Sequence, residues 1–288
     1  MELFHHYCSA ESFRLIFESG KLHLSSIHNM NDYGEGEFFL KIFLNELDEA
    51  NSEFISKGFL EEDGLNIIKN RILSEAEDRY IICMSKNSDT LSQWRGYADD
   101  GRGVSIGFDM SEIGFLSTNA KPLNQISNHF DKLINLSEID YCDESRARMI
   151  CKAYVETLES QLLKLKNKEG NGMLAVISLI CNALFSTKHH SFQEENEMRL
   201  MYNHKYTFED GVFKPVNNPS YLNDMKFKTR DSFLIPYYEF DFSNIKNKFI
   251  KEITLGPKNK FHERDLQLFL DVNGLGDIKI KRSASTYR

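Results

Sequence analysis

No uninterrupted apolar run among the 288 residues approaches the ~20 that a membrane-spanning helix needs, which excludes a helical span. The opening residues, MELFHHYCSAESF, lack a basic start followed by an apolar stretch, so no secretory signal peptide is expected. Cysteine is scarce. Cys8, Cys83, Cys142, Cys151 and Cys181 are odd in number, widely spaced and without a C-x-x-C pair. That argues against a disulfide framework and a zinc knuckle, and it fits a reducing, cytoplasmic setting. Positive charge is short as well: 35 Lys and Arg against 43 Asp and Glu give a net charge of −8. The electrostatic footprint of a general nucleic-acid binder is missing, which leaves only a local basic patch for such contacts. There is no P-loop, dinucleotide-binding glycine fingerprint or nucleophile elbow, and Gly101-Arg102-Gly103 is too short to cradle a phosphate. His189 and His190 are adjacent and lack the spacing of a zinc helix, so no metal ligand is assigned.

What is present is a core. At 41% hydrophobic and 12% aromatic, the chain can bury a large interior, and disorder is excluded. With no internal repeat or linker, it reads as a single domain over 1–288 with a helical insertion at about 143–190. The N-terminal residues through His6-Tyr7-Cys8 read as a strand. Ser9 then caps a helix carrying Phe13, Ile16 and Phe17, and Gly20 stops it. Residues 21–25 form a second strand, 29–35 a polar turn, and 37–80 mostly helix. Residues 111–139 are polar, poorly periodic and expected to be peripheral. Helices are expected over 143–165 and 173–185, strands over 233–240, 250–255 and 278–283, and a helix over 263–270.

The stretch Ile81–Asp109 organises the rest. Two short apolar strands flank Ser85, Trp94, Tyr97 and a charged loop, and Trp94 is the only tryptophan. Trp94 and Tyr97 share a helix face, as core filling or as the wall of a ligand site. Later, residues 192–202 alternate as a strand that would set Glu195, Glu197 and Arg199 on one face, two carboxylates followed by a guanidinium.

Several blocks resemble, in order, a bacterial family designated domain-of-unknown-function family number 2971. They are His6-Tyr7-Cys8, Gly20-Lys21-Leu22, Asn31-Asp32-Tyr33-Gly34-Glu35, Cys83-Met84-Ser85, Trp94 to Ala98, Gly103 to Phe108, Glu195-x-Glu197-x-Arg199, Gly256-Pro257, and Ser283 to Arg288. Cys8, Met84 and Tyr33 depart from the family's threonine, phenylalanine and proline. The family name supplies no activity.

The order of a histidine in the first strand, a serine strand and tyrosine in the middle, and a late glutamate strand is similar to that of His–Tyr–Glu ADP-ribosyltransferases. The similarity implies an α+β fold with a split β-sheet core, peripheral helices and a helical hairpin insertion, and NAD as the substrate. It implies that His6 hydrogen-bonds the nicotinamide ribose, that Tyr97 stacks on nicotinamide, and that Glu195 or Glu197 supports the cationic transition state. Ser85, Asn31, Asp32, Arg199 and Arg230 complete the expected NAD-binding set, with Lys258 and Arg288 as further anion contacts. A protein or nucleic-acid acceptor, a toxin or anti-phage defence role, and an antitoxin or defence-system partner follow as expectations. Two alternatives stand beside this one. Asp32, Glu35, Glu195 and Glu197 with Lys188 could serve a metal-dependent nuclease, or the pocket could belong to a non-catalytic sensor or interaction module.

Overall fold

The structure, a computed structural model, describes residues 2–27, 33–77, 79–113, 134–170, 172–203, 206–209, 212–215, 221–230 and 232–287, with the backbone alone at 33–36, 76–77, 206–209, 212–215 and 230. The elements run β1 (Phe4–Cys8), α1 (Ala10–Ser19), β2 (Lys21–Ser26), α2 (Tyr33–Ser56), α3 (Gly64–Glu77), β3 (Arg79–Ser85), α4 (Leu91–Tyr97) and β4 (Val104–Phe108). Then come β5 (Ile134–Glu138), β6 (Asp140–Cys142), α5 (Glu144–Lys166), α6 (Met173–Ser186), β7 (Thr187–His189), a 3-10 turn (His190–Glu195) and β8 (Glu197–Asn203). The chain ends with β9 (Tyr206–Glu209), β10 (Val212–Pro215), β11 (Lys226–Arg230), β12 (Phe233–Asp241), α7 (Lys246–Phe249), β13 (Ile250–Leu255), α8 (Glu263–Val272) and β14 (Lys279–Arg282). The fold is mixed α/β. Among the described residues no helix is long and apolar enough to cross a membrane.

The first turn shows local sequence deciding structure. The Ser9 hydroxyl accepts the Ser12 N–H at 3.1 Å and caps α1. Gly20 closes the helix at φ 68°, its N–H returning to the Ile16 carbonyl at 2.8 Å. Phe13, Ile16 and Phe17 then face the sheet together.

The ten-stranded sheet forks at β3. One edge of β3 pairs along its whole length with β8, which pairs in turn with β5. The other edge carries two different neighbours. At its start Tyr80 and Ile81 oppose Ser26 and Ser25 of β2, and at its end Ser85 opposes His5 of β1. From there one arm runs β2-β12-β11 and the other β1-β4-β13-β14. Within this sheet all described pairings are antiparallel except β13 with β14. Cys83 lies on β3 between those two contacts, and there the His6 ring donates from Nδ1 to the Cys83 carbonyl at 3.0 Å, a side chain satisfying a ladder acceptor in the fork.

Directly opposed residues of an antiparallel ladder point to the same side. One side of the sheet is therefore largely apolar: Phe4, Cys8, Ile82, Met84, Val104, Ile106, Phe108, Met198, Leu200 and Tyr202 are buried under α1, α7 and α8. The other side is mixed. Ile81 and Met201 join a second core built by α2, α3, α5 and α6, and the remainder of that face is polar. Residues 134–138, expected to be peripheral, instead form β5. Asn135 and Ser137 obscured the pattern, yet Ile134 and Leu136 are buried against Tyr202 and Leu200.

Candidate functional site

The polar face is organised as a row across five adjacent strands. Glu252 opposes Gly107, Gly107 opposes His5, His5 opposes Ser85, and Ser85 opposes Glu197. Their side chains share one side of the sheet, and His5, Ser85 and Glu197 are only 5%, 1% and 5% exposed. Gly107 makes the row possible, because a Cβ there would meet Glu252 Cγ at 2.9 Å and His5 Cε1 at 3.0 Å. A second, parallel row is Thr254, Ser105 and Tyr7. Among the described residues, the buried His5 Nδ1 and Thr254 Oγ1 have no hydrogen-bond partner. Burial holds the His5 ring neutral, pulling its pKa down to about 4 despite Glu252 beside it.

At the Glu197 end the row meets a buried charge cluster. The Lys188 ammonium lies 2.8 Å from Glu195 Oε2 and 2.8 Å from Glu197 Oε2. Arg199 donates from Nε to Glu197 Oε1 at 2.6 Å and from Nη2 to Oε2 at 3.1 Å, and its Nη1 donates to the Phe185 carbonyl at 2.9 Å. Burial alone would raise the Glu197 pKa. The charges of Arg199 and Lys188 outweigh it and bring the pKa to about 2, so the group is a carboxylate at neutral pH. The Glu197 N–H donates to the Tyr141 phenol at 2.8 Å, and the Ser85 hydroxyl donates to the Glu195 carbonyl at 2.6 Å. A depression of about 260 Å³, lined by Tyr141, Cys142, Asp143, Arg146 and His190, adjoins the cluster through Tyr141.

The helix α4 lies against both halves of the row, touching β1 and the 190–195 turn. Trp94 is fully buried, with its ring centroid 4.7 Å from that of Tyr7, and its indole N–H donates to Asp89 at 2.6 Å. It is the core anchor. Tyr97 is half-buried against the Tyr7, Trp94 and Ala98 cluster. The chain's last strand and tail fasten this helix from outside. Ser283 Oγ and the Ala284 N–H donate to Asp89 at 2.5 and 2.7 Å, and the Tyr287 phenol and the Lys258 ammonium bond Asp100 at 2.6 and 2.8 Å.

The placement of the expected residues differs in three respects. His5, not His6, stands in the row with Ser85 and Glu197. The two histidines alternate across the sheet, and His6 opposes Ile106 on the apolar side. Glu195 is not in the strand with Glu197 and Arg199. Asn196 adopts a left-handed conformation (φ 45°, ψ 53°), β8 starts at Glu197, and Glu195 ends the 3-10 turn. The two carboxylates nevertheless meet, through Lys188. Lys258 is an ion-pair partner of Asp100, not an unengaged anion contact. Asn31, Asp32 and Arg288, and the side chains of Glu35 and Arg230, lie outside the described residues. His5, Gly107, Glu252, Thr254 and Tyr141 were not selected from sequence. The signal that finds them is cross-strand register, which one sequence does not contain. Among the described residues no group of three or more His, Cys, Asp or Glu is placed to hold a metal ion.

Residues 93–200 match the profile of the family described as Protein of unknown function (DUF2971), a span that begins within α4 and includes β4, the charge cluster and most of β8. No curated protein and no solved structure matches the chain.

Proposed function

We propose that this member of the DUF2971 family is an NAD-consuming enzyme of ADP-ribosyltransferase type, with its site on the polar face of the forked sheet. The observation that carries the reading is the row His5–Ser85–Glu197, in which a histidine, a serine and a glutamate from three adjacent strands stand directly opposite one another. The row shares the first-strand histidine, the serine strand and the late glutamate of the similarity drawn from sequence, with His5 in place of His6, while the tyrosine of that similarity, Tyr97, lies on α4 outside the row. The divergence of β1 and β2 from one edge of β3 supports the split-sheet part of the same reading.

The chemistry suits the groups. In the proposed step the bond between the nicotinamide nitrogen and ribose C1′ breaks, and its electron pair leaves with the ring as neutral nicotinamide. C1′ develops oxocarbenium character, which a nearby carboxylate stabilises. Glu197 is buried and ionised, as this role needs. An acceptor hydroxyl, amine or water then bonds to C1′ through its lone pair and gives up one proton, for which Glu195 is the adjacent base. His5, neutral and with Nδ1 unpartnered among the described residues, is the candidate partner for a ribose hydroxyl. Tyr97 is the candidate face for the cationic nicotinamide ring. A toxin or defence effector is the setting such NAD chemistry suits, with a protein or nucleic-acid acceptor.

The test is incubation of the purified protein with NAD, with and without cell lysate, comparing wild type with Glu197→Gln. Nicotinamide release by the wild type and its loss in the folded variant is the expected result. No nicotinamide release and no modified product from the wild type would overturn the proposal.

A further inference from the structure

Lys188 is the most deeply buried charge of the cluster. Its side chain is 1% exposed, its ammonium lies 2.8 Å from a carboxylate oxygen of both Glu195 and Glu197, and the Phe192 ring sits 5.5 Å away. A buried ammonium is costly, and a solitary Glu197–Arg199 pair would already balance in charge. What Lys188 balances is the second carboxylate. Two buried carboxylates brought this close share a proton unless a cation separates their charges. Among the described residues, Arg199 beside Glu197 on β8, Cys83 on β3 and Tyr141 on β6 also face the cluster. The Cys83 thiol is pushed well up by burial and Tyr141 is raised as well, so both are neutral and neither can take the cation's place.

We propose that Lys188 is a positioning residue that bridges Glu195 and Glu197 and keeps them side by side as a two-carboxylate unit. Resting on the transferase reading, this divides the work: Glu197 faces the developing cation, and Glu195 stays free of a proton until the acceptor delivers one. The bridge depends on the left-handed Asn196, which folds Glu195 back toward β7 so that one ammonium reaches both side chains.

The test uses Lys188→Arg, Lys188→Met and the double variant Lys188→Met/Glu195→Gln, with two readouts. The first is titration of the glutamate carboxyl carbons by NMR, which needs no NAD. One glutamate of Lys188→Met is expected to titrate near neutral pH, and none in wild type, Lys188→Arg or the double variant. Acid-range titration of every glutamate in Lys188→Met overturns the proposal. The second is nicotinamide release against pH. Between about pH 8 and pH 6 the Lys188→Met rate should fall roughly tenfold while wild type and Lys188→Arg change less than about twofold; parallel profiles overturn the assignment. If Lys188→Met does not fold but the double variant does, the unbridged carboxylates are the fault and the proposal stands. If neither folds, Lys188 serves packing and the proposal falls. A neutral-range glutamate with no nicotinamide release from any protein, wild type included, overturns the transferase reading and leaves the bridge intact.

Discussion

On one side of the sheet β1, β3, β4 and β8 present Phe4, Met84, Phe108 and Met198; on the other the same strands present His5, Ser85, Gly107 and Glu197. The backbone is common to both, and alternation alone separates them. The apolar side is closed by interlocking rings, with Phe108 packed on Phe242 and Phe249 at centroid distances of 5.7 and 4.9 Å. The polar side buries a neutral histidine, the carboxylates of Glu195, Glu197 and Glu252, an ammonium and a guanidinium, and leaves hydroxyl and imidazole atoms without partners among the described residues. Apolar packing serves stability at little chemical cost, whereas buried polar groups are expensive unless paired. Polar burial concentrated on one face of an otherwise apolar core is the contrast on which the proposed site rests.

Breaking the apolar side should have the largest effect on folding. Phe108→Ala removes a fully buried ring and is expected to cost about 3–5 kcal/mol in chemical denaturation, with any change in NAD turnover only following the folded fraction. Glu197→Gln should come next, at about 3 kcal/mol, because it leaves Lys188 and Arg199 buried with too little negative charge. The sign with pH follows from the same group. Its folded-state pKa of about 2 lies below the ordinary 4.5, so its stabilisation is complete above about 4.5 and is lost as pH falls towards about 2. Denaturation curves should show that acid loss reduced in Glu197→Gln.

His5 sharpens the comparison at milder pH. Its folded pKa, about 4, lies below the unfolded 6.5, so the unfolded chain takes up the proton first. Stability should be full above about 6.5, decline as pH falls towards about 4 and then level off, a loss of at most ~2 kcal/mol once local relaxation is allowed for. His5→Gln should remove part of this decline. His6, also held neutral by burial, contributes in the same direction. The smallest effect belongs to Thr254→Val. It replaces a buried hydroxyl without a partner by a methyl of similar shape and should change stability by less than ~1 kcal/mol in either direction. A cost of several kcal/mol, measured the same way, would show that the hydroxyl is engaged and that the polar side is better satisfied than described.

The sequence made much of this legible and withheld one kind of information. Helices α5, α6 and α8 follow from apolar spacing, and α1 from its Ser9 cap and Gly20 stop. The strand pair around Trp94 follows from short apolar runs between turn residues. The alternation of His5 and His6 was plain, but which of them met Glu197 depended on pairing with Ser85, a contact 80 residues away set by register. Glu195 was misassigned because a period-2 pattern continues across Asn196 on paper, whereas the backbone breaks there into a left-handed turn. Lys188 stood beside Glu195 and Glu197 only in the nuclease alternative, and its bridging of the two carboxylates comes from that turn, which one sequence does not contain.

Chemical-shift mapping of labelled protein titrated with NAD tests most directly whether the polar face is the ligand face. Perturbations should centre on His5, Ser85, Tyr97, Glu197 and Arg199, with Phe4, Ile106 and Leu200 on the opposite side quiet. Saturable shifts confined to the apolar side, or no shifts at millimolar NAD, would contradict it.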